Sequence, residues 1–520
     1  EMKEYKLASF CIRQVAEMGD VSFKTSPVQQ ALVLSFCQNH SKAIECLLEV
    51  IADQPVPSMF VLLGKIQMKA KKTKDAVESF QQALKILTSS AKILPNTFEA
   101  AEIYYFLGLC YMEQVSLLQT YKNAIEDLTK TIDLDKICVL AYYNRAICYH
   151  QIKDFRKALK DYGILLLLES SKEIVLTVLI NRALLYVELE DYCNALEDFQ
   201  EASLCNPRNS KIYQAIGICY HRLEQYEEAV NSFTQVLKLD PFSLDAYVAR
   251  GNSYMEYGHE VGNTQAQKDF LKALHLNPKC VKARICLGYN LQAFGKFQKA
   301  WNQFTVAIDI DPKCHIAYDG RAVISLQMGD TFAAFQDTNA ALKFTTTAQL
   351  LTNRGVINQF MGYLNCAMKD YQQAISINPG YALAYFNAAN IYFHHRQFSQ
   401  ANSYYSKALQ LDPRNESAVL NRAITNTLLQ NIEEAKEDFE KAVCLCPFSA
   451  AVYFNRANLY RALKQYELAE KDISTALSIQ PNDALMYKLR ADVRGKMGFS
   501  EEAIADYKQA ISIQEMIDAM

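Results

Sequence analysis

The side chains best suited to chemistry are spread thinly along this chain. Fifteen cysteines run from Cys11 to Cys446, an odd number without a Cys-x-x-Cys pair, and Cys444-Leu445-Cys446 is the tightest spacing. The adjacent His394 and His395 end one amphipathic segment, and Cys444 and Cys446 end another well downstream. Four such ligands would suit zinc, but solvated turn histidines and packed thiols are the favoured reading. No Gly-x-x-x-x-Gly-Lys phosphate cradle, Gly-x-Ser-x-Gly elbow or His-Glu-x-x-His helix occurs. Cys110, Cys148, Cys219 and Cys286 fall on apolar helical faces, where a reduced thiol behaves as a small hydrophobe. That usage predicts a reducing, cytoplasmic compartment rather than a disulfide framework. We therefore expect no enzyme, no cofactor and no metal. An enzyme whose site arises from loops or from a partner is the weakest alternative.

The elements that must carry these residues are helical. Half of the 520 residues are hydrophobic and 21% are charged, a globular composition that by length alone would make three or four domains. Only 17 glycines and 12 prolines are present, too few for a turn-rich β protein, whereas Tyr and Phe total 31 + 26 = 57. The net charge of 54 − 57 = −3 gives no reason to expect nucleic acid as a partner. No apolar run reaches the ~18 residues of a spanning helix, so membrane insertion is not expected. Glu1 rather than Met opens the chain, which leaves room for a segment upstream.

Internal periodicity organises the rest. The run Tyr453-Phe454-Asn455-Arg456-Ala457-Asn458-Leu459-Tyr460, with Tyr466, Ala469, Ile473, Ala476 and Pro481, recurs at intervals of 34 residues upstream. With the closing proline numbered 32, units start near 57, 101, 139, 176, 210, 244, 281, 315, 348, 382, 416, 450 and 484, with a weaker one at 24. Position 8 is Gly or Ala in all fourteen, from Ala31 to Ala491, and position 20 is Ala in all fourteen, from Ala43 to Ala503. Apolar residues at 4, 8 and 11 and again at 20, 24 and 27 have helical spacing, so each unit is predicted to be two amphipathic helices. Small residues at 8 and 20 let the two backbones approach, and the proline stops the second helix.

This pattern resembles the tetratricopeptide repeat from residue 24 to about 515, although Tyr, Phe, Leu, Val or Arg stands where that family usually has Trp at position 4. The resemblance implies an all-α fold, a right-handed α-solenoid superhelix of about 14 helix-turn-helix units. Residues 1–23 are expected to form an N-terminal helical segment, 24–56 a weak first unit, 57–515 the tandem array and 516–520 a tail. Longer steps place extra residues between 89 and 96, in a turn around Val115 to Thr120, and in the turn Tyr257 to Gly262.

Two columns vary together. Position 7 is Arg in eight units, and position 23 of the same unit is then always Asp. The pairs are Arg145 with Asp161, Arg182 with Asp198, Arg250 with Asp269, Arg321 with Asp337, Arg354 with Asp370, Arg422 with Asp438, Arg456 with Asp472 and Arg490 with Asp506. Of the five clear units lacking the Arg, only one keeps Asp, at Asp127. We expect an intra-unit ion pair, bidentate where geometry allows, that orients the two helices. Losing one partner should cost about 3–5 kcal/mol where the other is left buried.

The resemblance further implies that positions 2, 5, 6, 9 and 12 of first helices line a concave, peptide-binding groove. Between 101 and 220 these are apolar: Tyr105, Leu109, Tyr143, Ile147, Ile180, Leu184 and Ile218. From 348 onward position 6 is Asn four times running, at Asn353, Asn387, Asn421 and Asn455, with Asn390 and Asn458 at position 9 and Phe386 among them. Each amide offers a donor and an acceptor to a peptide backbone; a tolerated, idle groove residue is the competing reading. Chaperone-binding members hold an acidic C-terminal tail in a carboxylate clamp. Here Phe386, Ala451 and Asn455 occupy clamp positions that require Lys or Arg, so no such binding is expected.

The sequence thus points to a non-enzymatic scaffold that binds peptide segments of protein partners. Its rival is an adaptor subunit of a ciliary or transport assembly that docks through ends and edges. At the C-terminal end Ile504, Ile511, Met516 and Ile517 form an apolar patch from which self-association is expected. The lysines Lys65, Lys69, Lys71, Lys72 and Lys74 form the one basic cluster, read as a solvated helix end with an acidic partner as the minority alternative.

Overall fold

The computed structural model describes residues 27–36, 38–89, 97–114, 118–168, 171–258 and 260–518. The expected segment 1–23 and the stretch 90–96 lie outside them. The described residues form 28 helices and no strand. Two compact units divide the chain, Glu1–Gly262 and Asn263–Met520.

The first unit contains α1 (Pro27–Phe36), α2 (His40–Asp53), α3 (Pro57–Lys69), α4 (Thr73–Ser89), α5 (Thr97–Glu113), α6 (Leu118–Leu134), α7 (Val139–Gln151), α8 (Phe155–Leu167), α9 (Lys172–Glu188), α10 (Tyr192–Cys205), α11 (Ser210–Arg222), α12 (Tyr226–Leu239) and α13 (Leu244–Glu256). The division falls inside α14 (Glu260–Leu276). The second unit continues with α15 (Val281–Ala293), α16 (Phe297–Ile310), α17 (His315–Gln327), α18 (Thr331–Phe344), α19 (Ala348–Phe360), α20 (Leu364–Ile377), α21 (Ala382–His394), α22 (Phe398–Leu411), α23 (Glu416–Leu428), α24 (Ile432–Leu445), α25 (Ala450–Ala462), α26 (Tyr466–Ile479), α27 (Ala484–Met497) and α28 (Ser500–Asp518). Odd-numbered helices are first helices and even-numbered ones second helices, and within each unit of the chain a helix packs chiefly on its sequence neighbours.

Packing follows the small-residue columns. Ala43, Ala76, Ala158, Ala195, Ala229 and their counterparts to Ala469 are wholly buried, which brings paired helices close. Large rings at position 24 fill what remains: Phe80, Tyr162, Phe233, Phe304, Tyr371, Tyr405 and Phe439 are also buried. Burying each such side chain stabilises the fold by up to about 3 kcal/mol. At Gly217 a Cβ would lie 2.7 Å from Cε1 of Phe233, so the ring rests on bare backbone there.

Among the described residues, the turn inside a pair uses one left-handed residue at position 15. Glycine supplies it at Gly295, Gly329, Gly362 and Gly498, but Lys153, Glu190, Glu224, Arg396, Gln430 and Lys464 adopt it too, with φ of 58–64°. The following amide then bonds back across the helix end, as from Gln225 N–H to the Tyr220 carbonyl at 2.9 Å. That contact satisfies carbonyls the helix end leaves free.

Two lengthened turns are shorter than expected. Glu260 already belongs to α14 and Leu118 to α6, so extra residues there extend helices, which satisfy their own backbone. At the C-terminal end α28 runs through Asp518, so residues 516–518 are helical rather than a tail.

Candidate functional site

The ionic columns meet as a clamp of three helices. In α7 and α8, Arg145 Nε and Nη2 donate to Oδ2 and Oδ1 of Asp161, both at 2.8 Å, and Nη1 reaches back to Thr129 Oγ1 on α6 at 3.1 Å. The same two-pronged bond joins Arg182 to Asp198, Arg321 to Asp337, Arg354 to Asp370, Arg422 to Asp438, Arg456 to Asp472 and Arg490 to Asp506. Arg250 donates to Thr234, and the buried Asp269 belongs to the second unit. The third prong recurs to Thr305, Asn339, Ser406 and Ser474, each on the preceding second helix. At two of these arginines, rings three residues before and four after flank the guanidinium: Tyr142 and Tyr149 at Arg145, and Tyr453 and Tyr460 at Arg456. The Asp472 hydrogen bond raises the Arg456 pKa against the opposing effect of burial. Nothing in this arrangement leaves the arginine free to react; it fixes helix positions.

Those fixed first helices present the amide column. Asn353 Nδ2 donates to Oδ1 of Asp319 at 2.8 Å, and Asn421 Nδ2 to Oδ1 of Asn390 at 3.1 Å. Asn390 also accepts from Tyr405 at 2.6 Å. Asn455 and Asn458 turn back on carbonyls of their own helix, at Ala451 and Phe454. Asn387, half-buried beside Phe386, has no side-chain hydrogen bond among the described residues. One rule explains the difference. A position-6 amide pairs with an available polar side chain at position 5 or 9 of the preceding repeat; where Leu420 and Ile424 stand there it finds none, and of Thr352 and Val356 the one hydroxyl is already spent on the Ala348 carbonyl.

The first unit obeys the same rule. Asn144 donates to the Tyr105 hydroxyl at 3.3 Å and Asn181 to the Tyr143 hydroxyl at 3.0 Å. Both tyrosines are therefore half-buried and hydrogen-bonded, while Leu184 and Ile218 on the same face stay exposed. Burial pushes the Tyr105 hydroxyl up, with Asn144 moderating the shift. Asp319 is the electrostatic exception. Only 7% exposed, it meets the Asn353 amide rather than a guanidinium, and burial raises its pKa, tempered by Asn353 and His315.

Cys110, Cys148 and Cys219 are placed as small hydrophobes, whereas Cys193, Cys205, Cys366 and Cys444 are exposed. Burial pushes Cys110 and Cys148 up to about 12 and Cys219 up to about 11, so at neutral pH they stay protonated. Cys286 is half-buried. Among the described residues no group of three His, Cys, Asp or Glu side chains is arranged to hold a metal, and no helix is long and apolar enough to cross a membrane.

Comparison with known proteins places this architecture. Family models described as tetratricopeptide repeat match residues 57–86, 210–243, 348–381, 382–415 and 450–483. The human tetratricopeptide repeat protein 6 is 59% identical over 405 residues, which cover 78% of this chain and 78% of that protein. The chain belongs to the tetratricopeptide repeat family. The DnaJ homolog subfamily C member 7 homolog of Schizosaccharomyces pombe is 25% identical over 330 residues, 54% of this chain and 64% of its own length. Among solved structures, the APC/C hetero-tetramer Cut9-Hcn1 gives a TM-score of 0.45 at 15% identity, covering 93% of this chain and 98% of that one.

Within this tetratricopeptide repeat array, sequence reading overlooked three sets of residues. Asn144 and Asn181 stand at the same position 6 as the later asparagines, so counting that column across all repeats would have found them. The Thr and Ser prongs lie 16 residues before their arginines, a second fixed spacing. Asp319 carried no signal, because its burial depends on the stacking of neighbouring repeats.

Proposed function

We propose that this protein is a non-enzymatic interaction scaffold that holds peptide segments of protein partners along the first helices of its second unit. Its tetratricopeptide repeat family supports the interaction role. The unengaged amide of Asn387 carries the finer reading, with Asn455 and Asn458 beside it in the column. Their bonds to Ala451 and Phe454 are local ones that a ligand backbone can take over. Asn353, Asn390 and Asn421 set the spacing of that face through their mutual and Asp319 contacts. Phe386 supplies apolar surface, as Tyr105 and Tyr143 do in the first unit. Phe386, Ala451 and Asn455 leave out the cations of a carboxylate clamp, so acidic-tail chaperones are not the partners. The net charge of −3 argues against nucleic acid, and buried thiols suit a reducing cytoplasm.

The test uses the full chain and a phage-displayed random peptide library. Asn387→Ala with Asn455→Ala is cleaner than a variant that includes Asn421, whose amide is already bonded to Asn390. Two lost hydrogen bonds of ~1 kcal/mol each should weaken selected peptides by roughly tenfold or more at unchanged helicity. Equal affinity would assign the column to packing alone. Docking through an end is the second reading, favoured by the outward face of α28. Ile504, Ile511 and Met516 there are 53%, 58% and 64% exposed. Loss of capture only in Ile511→Glu would assign binding to that end.

A further inference from the structure

The first unit has a hollow of different character at its N-terminal end. There α1, α3 and α5 enclose a cavity of about 720 Å³, walled by Leu32, Phe36, Leu62 and Phe106 with Lys65 and Lys69 at its mouth. Leu32 and Phe36 are 47% and 51% exposed, so its apolar wall is open. A second hollow adjoins it, sharing Met68, Lys69 and Glu113, and continues past Lys71 and Lys74 at the turn between α3 and α4. An apolar trough therefore opens onto the one basic cluster of the chain.

Among the described residues, only Lys65 of the five lysines there is engaged internally. Lys65 is held by Glu102 at 2.7 Å and lies over the Phe106 ring at 4.7 Å. Lys69, Lys71, Lys72 and Lys74 are exposed and have no anionic partner among the described residues. Against these four stand Asp75 and Glu113, so the turn is net positive although the whole chain is net negative. The N-terminus of α4, at Thr73, adds its partial positive charge at the same turn. A cavity of this volume takes a few large side chains. Glu113 borders both hollows and would repel a continuous phosphate backbone, whereas a peptide can place its carboxylates on the lysines alone.

We propose that this end of the first unit docks an amphipathic, acidic peptide segment of a partner, its apolar side chains seated against Leu32, Phe36, Leu62 and Phe106 and its carboxylates on Lys69, Lys71, Lys72 and Lys74. The site shares no residue with the amide column and stands or falls separately from it.

Fluorescence anisotropy on the full chain tests this with two labelled synthetic helical peptides. Both carry Leu and Phe on one face; one has Glu and the other Lys on the opposite face. The Glu peptide should bind at least about tenfold more tightly, with the difference shrinking at high salt. Combined Lys69→Glu, Lys71→Glu, Lys72→Glu and Lys74→Glu should reverse the preference. Phe36→Glu should weaken the Glu peptide severalfold, while the Asn387 and Asn455 variant binds it as the parent does. Should the fourfold variant lose helical signal, Lys71→Glu with Lys74→Glu serves instead. Equal binding of both peptides, binding of neither, or an unchanged affinity in the lysine variants overturns the proposal. So does displacement of the Glu peptide by single-stranded RNA or phosphatidylserine vesicles at lower concentration than by unlabelled peptide, since the lysines would then be a general polyanion patch.

Discussion

Asp319 shows how one residue's environment becomes a measurable property. Its carboxyl is buried and accepts from neutral amides at Asn353 and Gln349, so ionisation there is compensated less than in the guanidinium-bonded aspartates. Burial raises its folded-state pKa above the ordinary 3.8. Below pH 3.8 the group is protonated whether the chain is folded or unfolded, and its burial is then fully tolerated. As pH rises through the raised folded value, that favourable contribution is lost, because the unfolded chain ionises more readily. Asp319→Asn keeps an acceptor for Asn353 and removes the charge. It should raise the thermal midpoint at pH 7, by a few degrees at most, and the gain should vanish as pH approaches 4. A variant less stable at pH 7 would mean that the ionised carboxylate is satisfied where it stands. The position-6 asparagines teach the companion lesson: identical residues at identical spacing serve as a repeat-to-repeat tie at Asn353 and as a free amide at Asn387.

At the scale of helices, the arginine clamp ties three elements at once. Arg456 joins α25 to α26 through Asp472, while Arg145 and Arg321 also reach the second helix of the preceding repeat. Arg456→Leu leaves the Asp472 carboxylate buried without its main donor and should destabilise by about 3–5 kcal/mol. Adding Asp472→Leu should restore most of that loss, because two apolar side chains can pack where the pair stood. Hydrogen exchange in α25 and α26 would read this locally, as repeats open in sections. No recovery in the double variant would show that the pair contributes more than mutual neutralisation. The arginine and aspartate columns were legible because they co-occur. The third prong was not, since Thr, Ser and Asn are common on helix surfaces and only the stacking of repeats aims one at a guanidinium. Turns divide similarly. Gly329 and Gly362 announce a left-handed residue, whereas Glu224 and Lys464 also adopt a positive φ because the helices on either side demand it.

Across the whole chain, each of the two units is built by stacking repeats on their neighbours, so any face without a neighbour stays apolar where the pattern continues. The outward side of α28 is such a face, with Ile504, Tyr507 and Ile511 exposed in succession and the Tyr507 hydroxyl held by Asp492. We expect concentration-dependent self-association through it. Sedimentation velocity over a wide concentration range should show a rising average coefficient, and Ile511→Glu should abolish the rise. A strict monomer throughout would remove the idea.

The repeating pair of helices, the close approach at positions 8 and 20, and the Arg–Asp coupling were all determined within the sequence. Each depends on spacing inside one repeat, and fourteen copies in one chain make that spacing self-evident. Which amide is free and which carboxyl is buried depend on side chains 30 or more residues apart, as with Asn144 and Tyr105 or Asn353 and Asp319, and which hydroxyl completes a clamp depends on an arginine 16 residues away in the next repeat. Those meetings are set by the offset between successive helix pairs. Helical periodicity carries no record of that offset, and only tertiary packing decides it.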